Sequence, residues 1–517
     1  MKLIYKSIVF ATVTTVLSCK NDDIAGLPPA ENPFETEFTK ISSIQVSNQG
    51  VPEISAYDKV TQQVFSTNTE AKLVEVIDIS DVSSPKLAGN IDISIYGKNL
   101  NSVAVQNGML AVAIEGKDKN ADEGSIVVFD TKDLTTPIIN VKAGFLPDMV
   151  TFSPDGTYIL SANEGEPNDE NTIDPKGSIS IITIANKTIK TLDFTAFNSQ
   201  EANLEEKGFR VFGETNGKIN ELDVDVEPEY IAVADDSKTA YVALQENNGI
   251  AVVDLTTQTI TDILPLGTKD FNDLANAYDV SDKDDAFSPA NWNVKSFYMP
   301  DAIDYFTANG VGYIITANEG DARDYDGFSE EVRVKDLVLD ETVYPDAETL
   351  QKNENLGRLK VTTANGDADG DGKFEQIFAY GGRSFSIWTT DGSLVYDSGN
   401  SLAQKTVELG TYPESRSDDK GTEPEAVVTY TIGNFTYAFV GLERSGNVFV
   451  YDISNPTAPV FLQNLPNTSP EGLTVVPAMD SPNGKDLLIV SNEFPDKEFV
   501  IEDANGGDFG KLVIFSK

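Results

Sequence analysis

The chain has 517 residues, with 38 Lys and Arg against 83 Asp and Glu, a formal net charge of −45, no histidine and a single cysteine, Cys19. So acidic a surface repels phosphate backbones, which argues against nucleic acid and anionic membranes as partners. Without imidazole or a second thiol, Ser-His-Asp hydrolysis, zinc sites and an intramolecular disulfide are excluded, and chemistry falls to carboxylates, Arg, Lys, hydroxyls and hard cations.

Residues 1–18 read as a secretion signal, with Lys2 and Lys6 ahead of an apolar run from Ile8 to Leu17. That run is too short to span a bilayer. It ends in Val16-Leu17-Ser18-Cys19, which resembles a bacterial lipobox; Cys19 would then be lipidated and become the mature N-terminus. The following Lys20-Asn21-Asp22-Asp23 resembles the acidic tether of outer-membrane, surface-exposed lipoproteins of Bacteroidetes-type bacteria. Residues 19–38 are expected to form a flexible acidic tether, and attachment to the membrane is expected through the N-terminal lipid.

From residue 39 to 517 one grammar repeats. A unit opens with a Pro-acid or polar start, continues through short β-branched strands and closes on an Asp-containing end. Units begin near 53, 101, 146, 227, 299, 374, 423 and 469. Short strands punctuated by Asn-Gly, Asp-Gly and Ser-Pro mark radially repeated β-meanders, with no helix–strand alternation. The expectation is an all-β fold: a single β-propeller of seven or eight four-stranded blades with long loop insertions. The last unit shows three strands, so Thr39 to Val46 is expected to supply the fourth and close the ring. Polar insertions at 193–226, 261–298, 322–357 and 400–422 are expected to project from one face, with short helices in 197–209 and 329–357.

Three constellations carry candidate chemistry. Asp367, Asp369, Asp371 and Glu375 alternate with Gly and resemble a calcium loop. Position 12 counted from Asp367 is Phe378, so the loop is not a standard EF-hand. Secondly, strands end in similar acidic knots: Asn163-Glu164-Gly165-Glu166, Asn318-Glu319-Gly320-Asp321, Glu443-Arg444 and Asn492-Glu493. The units begin with Asp148, Glu227 and Glu229, Asp301, Glu423 and Glu425, and Glu471. In a propeller such positions converge on one axis, so these carboxylates are expected to ring the channel mouth. There Ca²⁺ or Mg²⁺, or Arg323 and Arg444, must neutralise them. Asp301, Glu319, Glu425 and Glu493 are the metal candidates of this ring. Equally, such residues cap turns by bonding backbone amides, and at this point both readings stand. Thirdly, Gly381-Gly382-Arg383-Ser384 is either an anion clamp or a bulge carrying a surface Arg. No Walker loop or dinucleotide fingerprint is present, so no nucleotide is expected.

The segments LPDMVTFSPDGTYILSANEGEPND, ITANEGDARDYDGFSEEVRVKDL, GDADGDGKFEQIFAYGGRSFSIW and EPEAVV with GLERSG together resemble the choice-of-anchor I family, secreted or surface-attached bacterial proteins. The resemblance spans residues 40–517 and implies a propeller similar to WD40 and YVTN repeats. The PEG and SNE pattern at 470–493 is also loosely similar to calcium-dependent, phytase-like propellers. Two functions follow: a calcium-stabilised surface module binding a protein or glycan, or a calcium-dependent phosphoesterase. In the second, metals held by the ring would act with Glu319, Asp321, Arg323, Arg444 and Glu471 as catalytic candidates.

Overall fold

The structure, a computed structural model, describes residues 37–46, 52–284, 286–493 and 509–517. The secretion signal, Cys19 and all but the last two residues of the expected tether lie outside the described residues.

Among the described residues seven antiparallel sheets of four strands follow one another: blades 1 to 7, at 55–92, 100–142, 147–192, 231–265, 303–397, 424–466 and 470–516. The second and third strands of a blade are apolar on both faces because each lies between two neighbouring blades. Tyr158–Asn163, Ser178–Thr183 and Leu487–Asn492 are buried almost throughout. Outer strands such as Asp133–Lys142 face water and alternate. The Asp closing several third strands is a turn residue: Asp78, Asp130, Asp254 and Asp452 each accept the N–H two residues on, at 2.7–2.9 Å.

Apolar clusters join every successive pair of blades. One of the same kind joins blade 7 to blade 1 through Val64 and Ile77 against Leu487 and Ile489. The ring is therefore closed with seven blades. The strand Thr39–Gln45 completes blade 7, running antiparallel to Lys511–Ser516 from Thr39 opposite Ser516 to Gln45 opposite Lys511. Phe38 anchors it: the ring is 2% exposed and lies edge-on to Phe439 at 5.4 Å. Gln463 holds its backbone, donating to the Phe38 carbonyl at 2.7 Å and accepting from its N–H at 3.1 Å.

The unit read near 374 is corrected by the structure: it is not a blade of its own. Ser384–Thr389 and Leu394–Asp397 are the third and fourth strands of blade 5, whose first two are Ile303–Ala308 and Val311–Asn318. A long excursion, 319–383, separates the two halves. Hydrogen bonding across the blade, which no local pattern encodes, reunites them.

The other long excursions, 193–230, 266–302 and 398–423, join a fourth strand to the next first strand. In a meander blade the chain leaves strands two and four at the same end, so all four excursions gather on one face. Two of them, 266–302 and 319–383, share a core of Phe271, Tyr278, Val294, Val334, Leu356, Val361 and Ile377. A small sheet of Thr268–Asp270, Lys295–Phe297 and Phe378–Ala379 runs through it. Within this cap the Arg210–Glu330 ion pair is fully buried and ties 193–230 to 319–383, with the guanidinium 4.0 Å from the Phe212 ring. The expected helices appear as Thr195–Gln200, Glu201–Glu205, Val334–Asp336 and Ala347–Leu350. Ser401–Leu409 adds a longer helix that the sequence reading did not name.

Candidate metal centre at the channel mouth

Each first strand enters through a Pro-acid step or its equivalent: Glu53, Asn101, Asp148, Glu229, Asp301, Glu425 and Glu471. The ladder slips by a residue at this point, between Leu100 and Ser102, Pro147 and Met149, Pro424 and Val427, and Pro470 and Gly472. A proline has no N–H for the ladder, and the bulge turns the next side chain out of the sheet towards the axis. Glu53, Asn101, Asp148, Asp301, Glu425 and Glu471 accordingly line one cavity of about 320 Å³.

A second set sits one residue beyond each second strand: Thr69, Glu115, Glu164, Gln245, Glu319, Glu443 and Glu493. Hydrogen bonds brace both sets. Thr69 donates to Glu53 at 3.0 Å, Gln245 to Glu319 at 3.1 Å and Ser469 to Glu443 at 3.4 Å. The asparagines of the knots behave differently. Asn163 donates to Ser180 at 3.0 Å and Asn318 to Ser386 at 2.8 Å, both within their own blade. The knots therefore divide, with Asn bracing the blade and Glu facing the mouth. Gly320 makes the division possible in blade 5: at φ +89° its Cα passes so close to Gly381 that a Cβ would lie 2.2 Å from the Gly381 nitrogen.

Carboxylates crowded away from water resist ionisation. Burial, then Glu493, pushes Glu53 up to about 8. Burial pushes Glu443 up to about 7, with Glu423 adding to it, and Glu319 to about 7 although Lys420 opposes. Burial followed by neighbouring carboxylates holds Asp301, Glu425 and Glu471 well above the usual range. Lys420 is 2.6 Å from Glu319 and 3.4 Å from Asp321. Arg444 is 2.9 Å from Glu443 and 3.3 Å from Glu423. Lys119 pairs with Glu166 at the same cavity.

Of the residues picked from sequence, the fold brings Asp301, Glu319 and Glu425 together, with ligand atoms within 4.8 Å of one another, and likewise Glu425, Glu443 and Glu471. Glu493 holds the position equivalent to Glu319 and Glu443 and acts on Glu471 and Glu53, but belongs to neither triad. Asp321 lies at the rim, its side chain 55% exposed. Arg323 turns away from the mouth into the cap, 2.7 Å from Asp225 and 2.9 Å from Glu227, so it neutralises those two carboxylates rather than the triads. Arg383 is a correction: it is 8% exposed, not a surface residue, and donates to the carbonyls of Asp279, Ser417 and Asp419. Asp367, Asp369, Asp371 and Glu375 do converge, in the 319–383 excursion, with Asp369 and Asp371 exposed. Asp367 accepts the N–H groups of Gly370 at 2.8 Å and Gly372 at 2.9 Å.

Sequence reasoning missed Glu53, Glu115, Glu246, Lys119 and Lys420. Glu53 was readable from Pro52-Glu53, the same dipeptide as Pro424-Glu425 and Pro470-Glu471. Lys420 carried no signal, because it reaches the mouth from an excursion.

The donor set fits a hard divalent cation, since every ligand is oxygen. Among the described residues, buried oxygens of Glu229, Glu425 and Glu471 also have no hydrogen-bond donor, which leaves them available to a cation.

The profile of the choice-of-anchor I domain matches residues 53–456, from the first carboxylate of the mouth into blade 6. The chain belongs to this family. Two animal proteins are similar to part of the chain: Gigasin-3a of Magallana gigas, 27% identical over 28% of this chain and 63% of that protein, and a mesenchyme-specific cell surface glycoprotein of Strongylocentrotus purpuratus, 25% identical over 44% and 35%. The chain spans less than two thirds of either relative. Among solved structures it is similar to Kuenenia stuttgartiensis hydrazine synthase, with a TM-score of 0.45 and 12% identity over 88% of this chain and 96% of that one. It is also similar to the Cps50 (Swd1) β-propeller domain of Myceliophteria thermophila, with a TM-score of 0.44 and 8% identity over 93% and 100%. The choice-of-anchor I domain and the propeller together support a surface or secreted interaction module.

Proposed function

We propose that the chain is a surface-anchored bacterial lipoprotein whose calcium-stabilised propeller binds a protein or glycan partner through the capped face around its channel mouth. The observation that carries this reading is the convergence of Asp301, Glu319, Glu425, Glu443 and Glu471 on one end of the channel. Calcium suits it because the ligands are all oxygen and flexible Glu side chains accept irregular shells. Asp367, Asp369, Asp371 and Glu375 would hold a further, exposed cation. The cell-surface glycoprotein among the relatives is in keeping with a surface role, and Cys19 would provide the anchor. Chelation should lower the melting temperature, and calcium should restore it; an unchanged melting curve would overturn calcium stabilisation. Anchoring is tested on the mature N-terminal peptide, where Cys19 without a diacylglycerol would refute it.

The second reading, a calcium-dependent phosphoesterase, is favoured by Lys420 and Arg444, two cations flanking the same carboxylates. Metal polarises a phosphate and activates water without an imidazole base. Hydrolysis of p-nitrophenyl phosphate or phytate that disappears on chelation and in Glu319→Gln would establish it in place of the binding module. No turnover with either substrate would leave the binding module.

A further inference from the structure

The two carboxylate triads share a member. Asp301, Glu319 and Glu425 form one, and Glu425, Glu443 and Glu471 the other, each with ligand atoms within 4.8 Å. Oxygens bound to one calcium at 2.3–2.6 Å stand at most about 5 Å apart, so each triad can close on one ion without a backbone shift. Lys420 contacts the first triad through Glu319, and Arg444 the second through Glu443. With all five carboxylates ionised, the two cations would leave three negative charges for bound metal to compensate.

Unpartnered oxygens are a separate observation. Among the described residues no donor reaches Oε2 of Glu425 or Oε2 of Glu471, both shut off from solvent. Across the mouth Glu246, only 6% exposed, also carries a buried Oε2 without a donor. Its charge acts on Glu229 and Glu164, which belong to the two carboxylate rings. Neutral polar networks satisfy such atoms internally, whereas a cation centre needs them free.

We propose that the mouth holds a pair of calcium-class cations rather than one, with Glu425 bridging them, Asp301 and Glu319 completing the first site, and Glu443 and Glu471 the second. This deepens the calcium reading given above and rests on it. Glu425 can bridge because it enters on the bulge of blade 6, between the equivalent entry residues Asp301 of blade 5 and Glu471 of blade 7. The remaining coordination positions open into the cavity lined by Asp148 and Glu53.

The test is equilibrium dialysis of the full chain with radioactive calcium. Glu425→Gln should lose two bound ions, Glu471→Gln one, and the double change Asp369→Asn with Asp371→Asn neither of these two. Loss of one or no ion in Glu425→Gln overturns the bridged pair while leaving calcium elsewhere in place. No bound calcium in the unaltered chain overturns the broader reading as well. A second measurement needs no variant: electron paramagnetic resonance of the chain loaded with Mn²⁺. An exchange-coupled spectrum is expected from two ions sharing a carboxylate, and isolated six-line spectra alone would refute the pair.

Discussion

Glu53→Gln offers the sharpest test of how the mouth handles its charge. Glu53 lines the cavity outside both triads, takes one hydrogen bond from Thr69, and is pushed up to about 8 by burial and then by Glu493. In the unfolded chain its value is about 4.3. A raised carboxylate is proton-bound in the folded state over the interval where the unfolded state has lost the proton. Stability is therefore fully present below about 4.3 and lost as pH rises through about 8. Each unit of that interval corresponds to about 1.4 kcal/mol, or about 5 kcal/mol over the whole span. Partial access to water brings this to about 2–3 kcal/mol. Glutamine keeps the shape and the Thr69 contact but cannot ionise. In urea unfolding with chelator present, the variant should match the parent below pH 4.3, gain on it steadily from pH 5 to 8, and level off above that. Comparison with the parent cancels the general repulsion among 83 acidic residues, which also eases with acid. A difference that stays flat from pH 5 to 9, or a parent more stable than Glu53→Gln at pH 8, would refute the reasoning.

Three further outcomes are expected. Arg323→Met leaves Asp225 and Glu227 buried without their cation; it should cost about 3–5 kcal/mol of stability, and an unchanged melting temperature would show that the pair does not hold the cap. Phe38→Ala empties the site against Phe439 and should cost about 3–5 kcal/mol, with limited proteolysis removing the 39–45 strand first; equal protease resistance would contradict closure by that strand. Gly320→Ala should unfold well below the parent, because its Cβ meets the Gly381 backbone. Gly433→Ala, also at positive φ but with open space around it, should cost only about 1–2 kcal/mol, so similar melting of the two variants would remove the steric argument for Gly320.

Much of the molecule is written locally. The strand rhythm, the Asp turns after third strands and the need for an outer strand in blade 7 follow from alternation and turn chemistry, which act over a few residues. The recurrence of Pro-acid starts and Glu ends likewise marks where carboxylates gather, because a repeated blade places equal positions at equal distances from one axis. What the chain alone could not decide depends on contacts across long separations. Blade 5 became one blade only when Ser384–Thr389 paired with Val311–Asn318 across the 319–383 excursion. Arg323 read as a cation of the mouth, and Arg383 as an anion clamp or a surface residue, until the fold buried them against cap carboxylates and carbonyls. Lys420 gave no local sign of its part in the mouth, since an excursion has no period to place it. Sequence thus determined which residues repeat and where a carboxylate ring forms; the tertiary structure decided which of them meet, because Coulomb interaction and metal coordination act over a few ångströms and depend on positions that only closure of the ring sets.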